Sequence, residues 1–556
     1  MRARLLILLV AGQFAAGAAS GVAAQAVRRS PAPDLVLLGG KVFTADSTRL
    51  WATAIAIRGE RIVAVGSDAE ISSLAGPTTR RVLLDGRTVV PGFNDAHAHV
   101  GAGIGGVAFK TSPSPTPDPS IALVLDSLAA VVRRTPRGTW ITTAIAERVL
   151  GDSKARRDVL DRIAPFNPVM LQGWSGHGAV LNSTALRAMG LERATDPVGG
   201  WLERDSSGRA TGRIDEYALY GALFRAAVAR GPVPTLQAFA AYDQESSSFG
   251  ITSLQNMATS LTPALAAAVD RAKVLGARHH VIPFEMTTAH RRDTAWNAIL
   301  RLTSRTQVAG RKWVLDGTPI ERLALMREPY ADRAGWHGRA NFPPDTLVAM
   351  LREDIARNRQ PILHAVGDSS IALAFSAMRA VAPDSVWRRL RPRIEHGDNL
   401  MPDQFDAARQ LGVVVVQNPA HFALEFRGTR WNDARASHSE AVRDILAAGI
   451  PVAIGSDGPA NPGLNIMFAV LNPSNPPQAL TREQAVIAYT RTAAWAEHAE
   501  RNKGTLAAGM FADLAVLSQD IFTVPPQALP GTTSVLTLVG GRVTHDATAG
   551  AKPRGP

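Results

Sequence analysis

The stretch "PGFNDAHAHV", residues 91–100, closes the apolar run "RVLLDGRTVV" and sets His97 and His99 two residues apart. Side chains two apart on a strand project to the same face. Two imidazoles aimed at one point suit a metal ion, which takes neutral nitrogens at fixed distance and angle. The pattern is weak alone, because H-x-H also arises in ordinary half-buried strands. The rest of the chain has to provide further ligands.

The chain has 556 residues, 46% hydrophobic and 19% charged, which describes a globular protein. Residues 1–26, "MRARLLILLVAGQFAAGAASGVAAQA", combine a basic start, an apolar run and an A-x-A-like end at Ala24 and Ala26. They predict a secretory signal cleaved after Ala26, with a periplasmic or secreted mature protein. The competing reading is a membrane anchor. The run is short and diluted by Gly, Ser and Gln, so no stable membrane insertion is expected after cleavage. Cysteine is absent, which removes disulfides, thiolate metal sites and cysteine nucleophiles. Any metal must then be held by histidine, carboxylate or something made from lysine. The net charge of +12 comes from scattered arginines with no basic run, so a nucleic-acid partner is not expected. Only seven of the 60 basic residues are lysines, so Lys312, inside an apolar strand, calls for an explanation.

From residue 91 onward, short β-rich runs alternate with helical segments, the signature of parallel βα units. Strands are read at 91–100, 250–257, 279–286, 311–317, 360–368, 391–398, 412–419 and 451–459. Eight such strands predict an α/β fold, a (β/α)8 TIM-like barrel. His97 and His99, Lys312, His364, His396 and Asp457 fall on five of these strands, at or near the ends where barrel sites assemble. Singly, His364 or His396 reads as a core histidine and Asp457 as a turn former; the joint pattern favours a site. The flanks at 32–90 and 499–548 are rich in short strands and predict a small β-sandwich built from both chain ends. Strand one occupies 91–104, a large inserted subdomain 105–245, and the remainder of the barrel 246–498. The Pro-rich "SPSPTPDPS" (112–120) reads as an exposed linker at the entrance to the insertion.

The motifs "VVPGFNDAHAHV", "GHGAVLNSTAL", "GITSLQ", "KWVLDGT", "LHAVGD", "RIEHGD", "GSDGP" and "GTLAAGMFADLAVL" resemble those of the metal-dependent amidohydrolase superfamily. They are most similar to its YtcJ-like branch, which includes N-substituted formamide deformylases. The resemblance covers nearly the whole mature chain. It implies His97, His99 and Asp457 on one divalent metal, and His364 and His396 on a second. Lys312 matches the position that becomes a CO2-derived carbamate bridging both metals. An arginine cannot form one, which answers the lysine question; the competing reading pairs Lys312 with Asp316. Zinc is the expected metal, with manganese, cobalt or iron also compatible with these ligands. Two stretches depart from the family pattern, "LDGTPIERLALMREPY" after the lysine and "QNPAHF" on strand seven, and both bear on substrate identity.

The chemistry so implied is hydrolysis of an amide-type C–N bond in a small molecule by a metal-activated bridging hydroxide. Asp457 carries the proton from water to the leaving nitrogen. His177 is expected at the substrate carbonyl, with Glu216, Tyr217 and His421 on the pocket wall. The other histidines (279, 280, 290, 337, 438, 498 and 545) are read as surface or packing residues. Deamination or ester and lactone hydrolysis at the same metals is the alternative enzyme reading. A metal-holding binding protein without catalysis is the alternative from another class. A homodimer is the assembly carried as an expectation.

Overall fold

The computed structural model describes residues 31–111, 118–288, 296, 302–424, 426 and 428–548. The predicted signal at 1–26 and most of the Pro-rich linker lie outside the described residues.

Nine short strands form two parallel arcs. The first arc holds β1 (Phe93–Ala98), β2 (Ile251–Met257), β3 (Arg278–Ile282) and β4 (Thr306–Val308), in the order β4-β3-β2-β1. The second holds β5 (Arg311–Val314), β6 (Pro361–Ala365), β7 (Arg393–His396), β8 (Val414–Gln417) and β9 (Val452–Ile454), in chain order. Every residue of these strands except those of β4 is buried. Strands covered on both faces need apolar residues throughout, which explains their Val- and Ile-rich runs.

Two contacts bring the arcs together. Phe284, just past β3, bridges Lys312 in parallel, and Lys312 N–H donates to the Pro283 carbonyl at 2.8 Å. On the opposite side, Asp457 N–H donates to the His97 carbonyl at 2.8 Å. There Gly455 lies so near β1 that a Cβ would fall 2.5 Å from His97 N and Cβ, so only glycine fits.

Eight of the nine strands fall on stretches read from the sequence. β3 stops earlier than expected because Pro283 has no N–H to continue the ladder. β4 is additional: its run "TQV" is too short and polar to stand out, and it pairs at the outer edge of β3 (His279 with Thr306). Helices follow most strands, among them Pro263–Ala272 after β2, Asp368–Val381 after β6 and Pro462–Leu471 after β9. Thr262 and Asn461 start the first and last of these by accepting from the N–H groups of Leu265 and Leu464. Under the second arc the helices bury Met350, Leu351, Met378 and Trp387 against Trp313 and Leu363. Each such side chain contributes about 1.5–3 kcal/mol when fully buried.

Strands from the two ends of the chain share one six-stranded sheet. Thr88–Pro91 sits between Lys41–Phe43 and Leu514–Leu517, pairing Val89 with Val516 and Pro91 with Leu514. A four-stranded sheet that includes Leu35–Leu38 and Ala54–Arg58 packs on it through Leu37, Ile55 and Ile57 against Val42, Leu514 and Leu538. Between β1 and β2 the chain builds another six-stranded sheet, which runs from Gly200–Arg204 to Val107–Ala108. Its strands Gly178–Leu181 and Ala210–Glu216 pair antiparallel, so His177 and Glu216 meet at one end. Among the described residues no helix is long and apolar enough to cross a membrane.

Candidate active site

The arcs deliver their polar residues to one cavity of about 320 Å3, walled by His97, His99, Lys312, His364, His396 and Asp457. β1 supplies His97, and His99 follows its last residue; their Nε2 atoms lie 3.3 Å apart. Asp457, just past β9, approaches both: Oδ1 is 3.8 Å from His97 Nε2 and 3.4 Å from His99 Nε2. Its other oxygen lies 3.8 Å from His396 Nε2 and 4.0 Å from His421 Nε2. His396 and Asp457 have φ of 67° and 40°, in the left-handed region that disfavours side-chain-bearing residues. Such strain gathers at functional positions, and here it turns two strand-end side chains toward one point.

His97 is held from behind. Its Nδ1 donates to Glu395 Oε2 at 2.5 Å, and Arg393 donates to both Glu395 oxygens at 2.7 and 3.1 Å. The bond fixes the ring and leaves Nε2 facing the cavity, the arrangement that orients a metal-binding histidine. Burial holds His364 and His396 well below the ordinary imidazole value, while His99 stands at the open side of the cavity with its side chain 36% exposed. Burial also opposes the charge on Asp457, but His97, His99, His421 and Lys312 outweigh it and hold the carboxyl below its usual range.

These donors fit a divalent cation. Ligand atoms of His97, His99 and Asp457 lie within 4.8 Å of one another, and so do those of His396, His421 and Asp457. His364 Nε2 is buried with no hydrogen-bond partner, a neutral nitrogen whose lone pair or N–H lacks a complement. The second triad adds His421 to the donors around Asp457. His421, expected on the pocket wall, takes its place beside His396 because the 3-10 turn Pro419–Ala423 after β8 stacks its ring on His396, with centroids 5.9 Å apart. His364 packs against His396 at 4.4 Å but joins no such triad among the described residues.

Lys312 is 2% exposed and makes no salt bridge among the described residues. Burial lowers its pKa to about 8, against the pull of Glu395 and Asp457. Asp316 is no partner for it, since its oxygens accept from the N–H groups of Leu325, Val366 and Gly367.

The inserted sheet closes the cavity from above. His177 reaches in beside His364, with ring centroids 4.6 Å apart, while its Nδ1 lies 3.0 Å from Glu216 Oε1. Burial opposes the His177 charge, but Glu216 outweighs it and raises the pKa. Glu216 and Tyr217 do not line the cavity as expected. Glu216 is fully buried behind His177, and the Tyr217 hydroxyl accepts from Val314 N–H at 3.1 Å within the core. Tyr220 lines the cavity instead, its hydroxyl 2.8 Å from His177 Nδ1. It stands four residues from Glu216, one helical turn along Tyr217–Ala229, and that spacing was the available signal. Glu395 and Arg393 also escaped the sequence reading, although both lie in "RIEHGD" or beside it. Of the remaining histidines, His280 is buried 3.1 Å from Glu497 and His290 lies outside the described residues.

The profile of the amidohydrolase family matches residues 82–545. The chain is 28% identical to Protein LONG AFTER FAR-RED 3 of Arabidopsis thaliana, over 92% of this chain and 91% of that protein. It is 27% identical to the N-substituted formamide deformylase of Arthrobacter pascens, over 93% of this chain and 99% of that protein. A solved structure of an uncharacterized metal-dependent hydrolase from Pyrococcus furiosus has a TM-score of 0.65 at 21% identity, over 88% of this chain and 100% of that one. At that identity the likeness bears on the fold alone. The profile match spans both arcs and the cavity between them, and the chain belongs to the amidohydrolase family.

Proposed function

We propose that this protein hydrolyses an amide-type C–N bond of a small molecule at a metal centre held by His97, His99, His396 and Asp457. The observation that carries this reading is one carboxylate, Asp457, set between two pairs of imidazoles. A bound divalent cation, zinc or another metal suited to nitrogen and oxygen ligands, supplies a Lewis acid and an acidified water. The rest is done by the chain. Glu395 and Arg393 keep His97 in one tautomer and orientation. Asp457 accepts the proton of the attacking water and returns it to the leaving nitrogen, which departs only when protonated. His177, anchored through Nδ1 on Glu216, offers its other nitrogen to the substrate carbonyl.

His364, His421 and Lys312 complete a second cation position in this reading. Lys312 takes up CO2 as a carbamate there; its burial and the nearby cavity wall support that assignment. We read the two arcs as one (β/α)8 barrel with β4 outside it, on the strength of the contacts at Phe284–Lys312 and His97–Asp457. The signal-like character of residues 1–26 supports a place in the periplasm or outside the cell.

Metal analysis of the purified protein, coupled to a hydrolysis screen of N-formyl and N-acyl compounds, tests the proposal. Turnover of at least one amide is expected, lost on chelation and restored by metal. Metal-loaded protein that acts only on esters, lactones or amidines would overturn it, and so would inertness toward every class.

A further inference from the structure

Past His421 the cavity extends into a side chamber of about 80 Å3, bounded by Trp174, Ile320, Leu424 and Phe426 and by two carboxyl groups, Asp398 and Glu440. Asp398 follows β7 by two residues; Glu440 precedes the helix Val442–Ala447. The Glu440 N–H donates to the Asp398 carbonyl at 2.7 Å, and Asn472 Nδ2 donates to the Glu440 carbonyl at 3.1 Å. These bonds hold Glu440 at φ 53°, a conformation that costs a side-chain-bearing residue energy. Glu440 is 5% exposed, and its Oε2 is buried with no hydrogen-bond partner.

Neither carboxyl makes a salt bridge among the described residues, and no arginine among them lines the chamber or the adjoining cavity. That is unexpected in a chain with 53 arginines. Other buried carboxyls are satisfied in one of two ways: Glu395 meets Arg393, Glu497 meets Lys503 and Asp354 meets Arg311, each at 2.7 Å, while Asp95 and Asp316 accept hydrogen bonds from N–H and hydroxyl groups; Glu440 Oε2 has neither. A buried carboxylate without a counter-charge is costly, and a cationic ligand placed against it would relieve that cost. We propose that Asp398 and Glu440 form a subsite for a protonated amine, so that the substrates are amides carrying an ammonium group on a short apolar spacer. Leu424 and Ile320 suit the spacer, and the rings of Trp174 and Phe426 suit the cation, which is drawn to aromatic faces. As a statement about substrates this rests on the hydrolase reading; as a statement about binding it does not.

The test is calorimetric titration of the metal-loaded full-length protein with n-hexylamine, protonated at pH 7, and with 1-hexanol, its neutral counterpart. The wild type is expected to bind the ammonium roughly tenfold more tightly, the scale of one charge-assisted hydrogen bond. That preference should shrink toward nothing in Asp398→Asn and in Glu440→Gln. Equal affinities in the wild type overturn the subsite. A preference that survives both substitutions belongs to the metal centre and also overturns it. In parallel, kcat/KM is compared for N-(4-aminobutyl)formamide and N-pentylformamide. If neither is hydrolysed while the ammonium preference persists and depends on both carboxyls, the formamide-hydrolase reading falls and the subsite stands. If both are hydrolysed equally and no binding preference exists, the subsite falls and the hydrolase reading stands.

Discussion

Glu395 and Glu440 are both buried glutamates beside the same imidazole cluster, yet their electrostatic surroundings are opposite. Burial alone would raise Glu395, but Arg393, His97 and Lys312 outweigh it and bring the carboxyl down to about 2. Glu440 has no such company; burial, with Asp398 adding to it, raises it well above the ordinary value. Glu395 also ends a buried polar chain. Lys503 pairs with Glu497 at 2.7 Å, and Glu497 accepts from Gln255 Nε2 at 3.3 Å. Gln255 Oε1 in turn accepts from Arg393 at 2.6 Å, and Arg393 holds Glu395 against His97. Around His97 the fold pairs its charges completely. At Asp398 and Glu440, in the side chamber, no cation is supplied among the described residues.

The contrast can be broken most forcefully at Asp457, a carboxylate held below its usual range by the imidazoles around it and by Lys312. Asp457→Asn is expected to lower kcat by about 10^2–10^4, the span of a lost general acid–base, while most metal is retained. Steady-state kinetics beside metal analysis checks this, and unchanged turnover would remove Asp457 from its role. Next comes the paired region. Glu395→Gln leaves Arg393 buried without its anion and is expected to cost about 3–5 kcal/mol of stability, read by denaturant unfolding, along with weaker metal retention.

Acid titration probes the same pairing without mutation. Glu395 and Glu497 each sit at about 2 in the folded protein, below their ordinary value of 4.5. A depressed carboxyl stabilises the fold fully above its unfolded value, so their contribution should hold above pH 4.5 and disappear as pH falls from there through about 2. Unfolding free energy followed across that window should decline, and a flat profile would mean that these pairs contribute nothing.

Tyr217→Phe is expected to cost about 1–3 kcal/mol, because Val314 N–H loses its acceptor in the core. KM should stay unchanged, and a KM effect would return Tyr217 to the pocket. The smallest change is expected at the unpaired carboxyl. Glu440→Gln should shift stability by less than about 1 kcal/mol, or raise it, since no partner is lost. Destabilisation on the scale of Glu395→Gln would erase the distinction between the two glutamates.

The strands were legible because burial on both faces forces apolar runs, and His97 with His99 because spacing of two is a strand's own signature. His364, His396 and Asp457 could be picked from strand ends. Arg393 and Glu395 could not: in sequence they are ordinary charged residues, and only the packing of β1 against β7 makes them the support of His97. His421 lines the pocket as its place after β8 suggests, but its closeness to His396 and Asp457 depends on a 3-10 turn that a local pattern does not reveal. Tyr217, expected at the cavity, and Tyr220 differ by three positions on one helix, and only the packing of that helix decides that Tyr220 faces it.

By itself the sequence determined which residue types were available, the order of the strands and the absence of thiol chemistry, since these depend on composition and local periodicity. The tertiary structure alone decided which oxygen of Asp457 faces which imidazole, which buried carboxyls receive a cation and which do not. Those depend on contacts between residues as far apart as 97 and 457, and on positive-φ backbones at His396, Glu440 and Asp457, for which a local pattern carries no information.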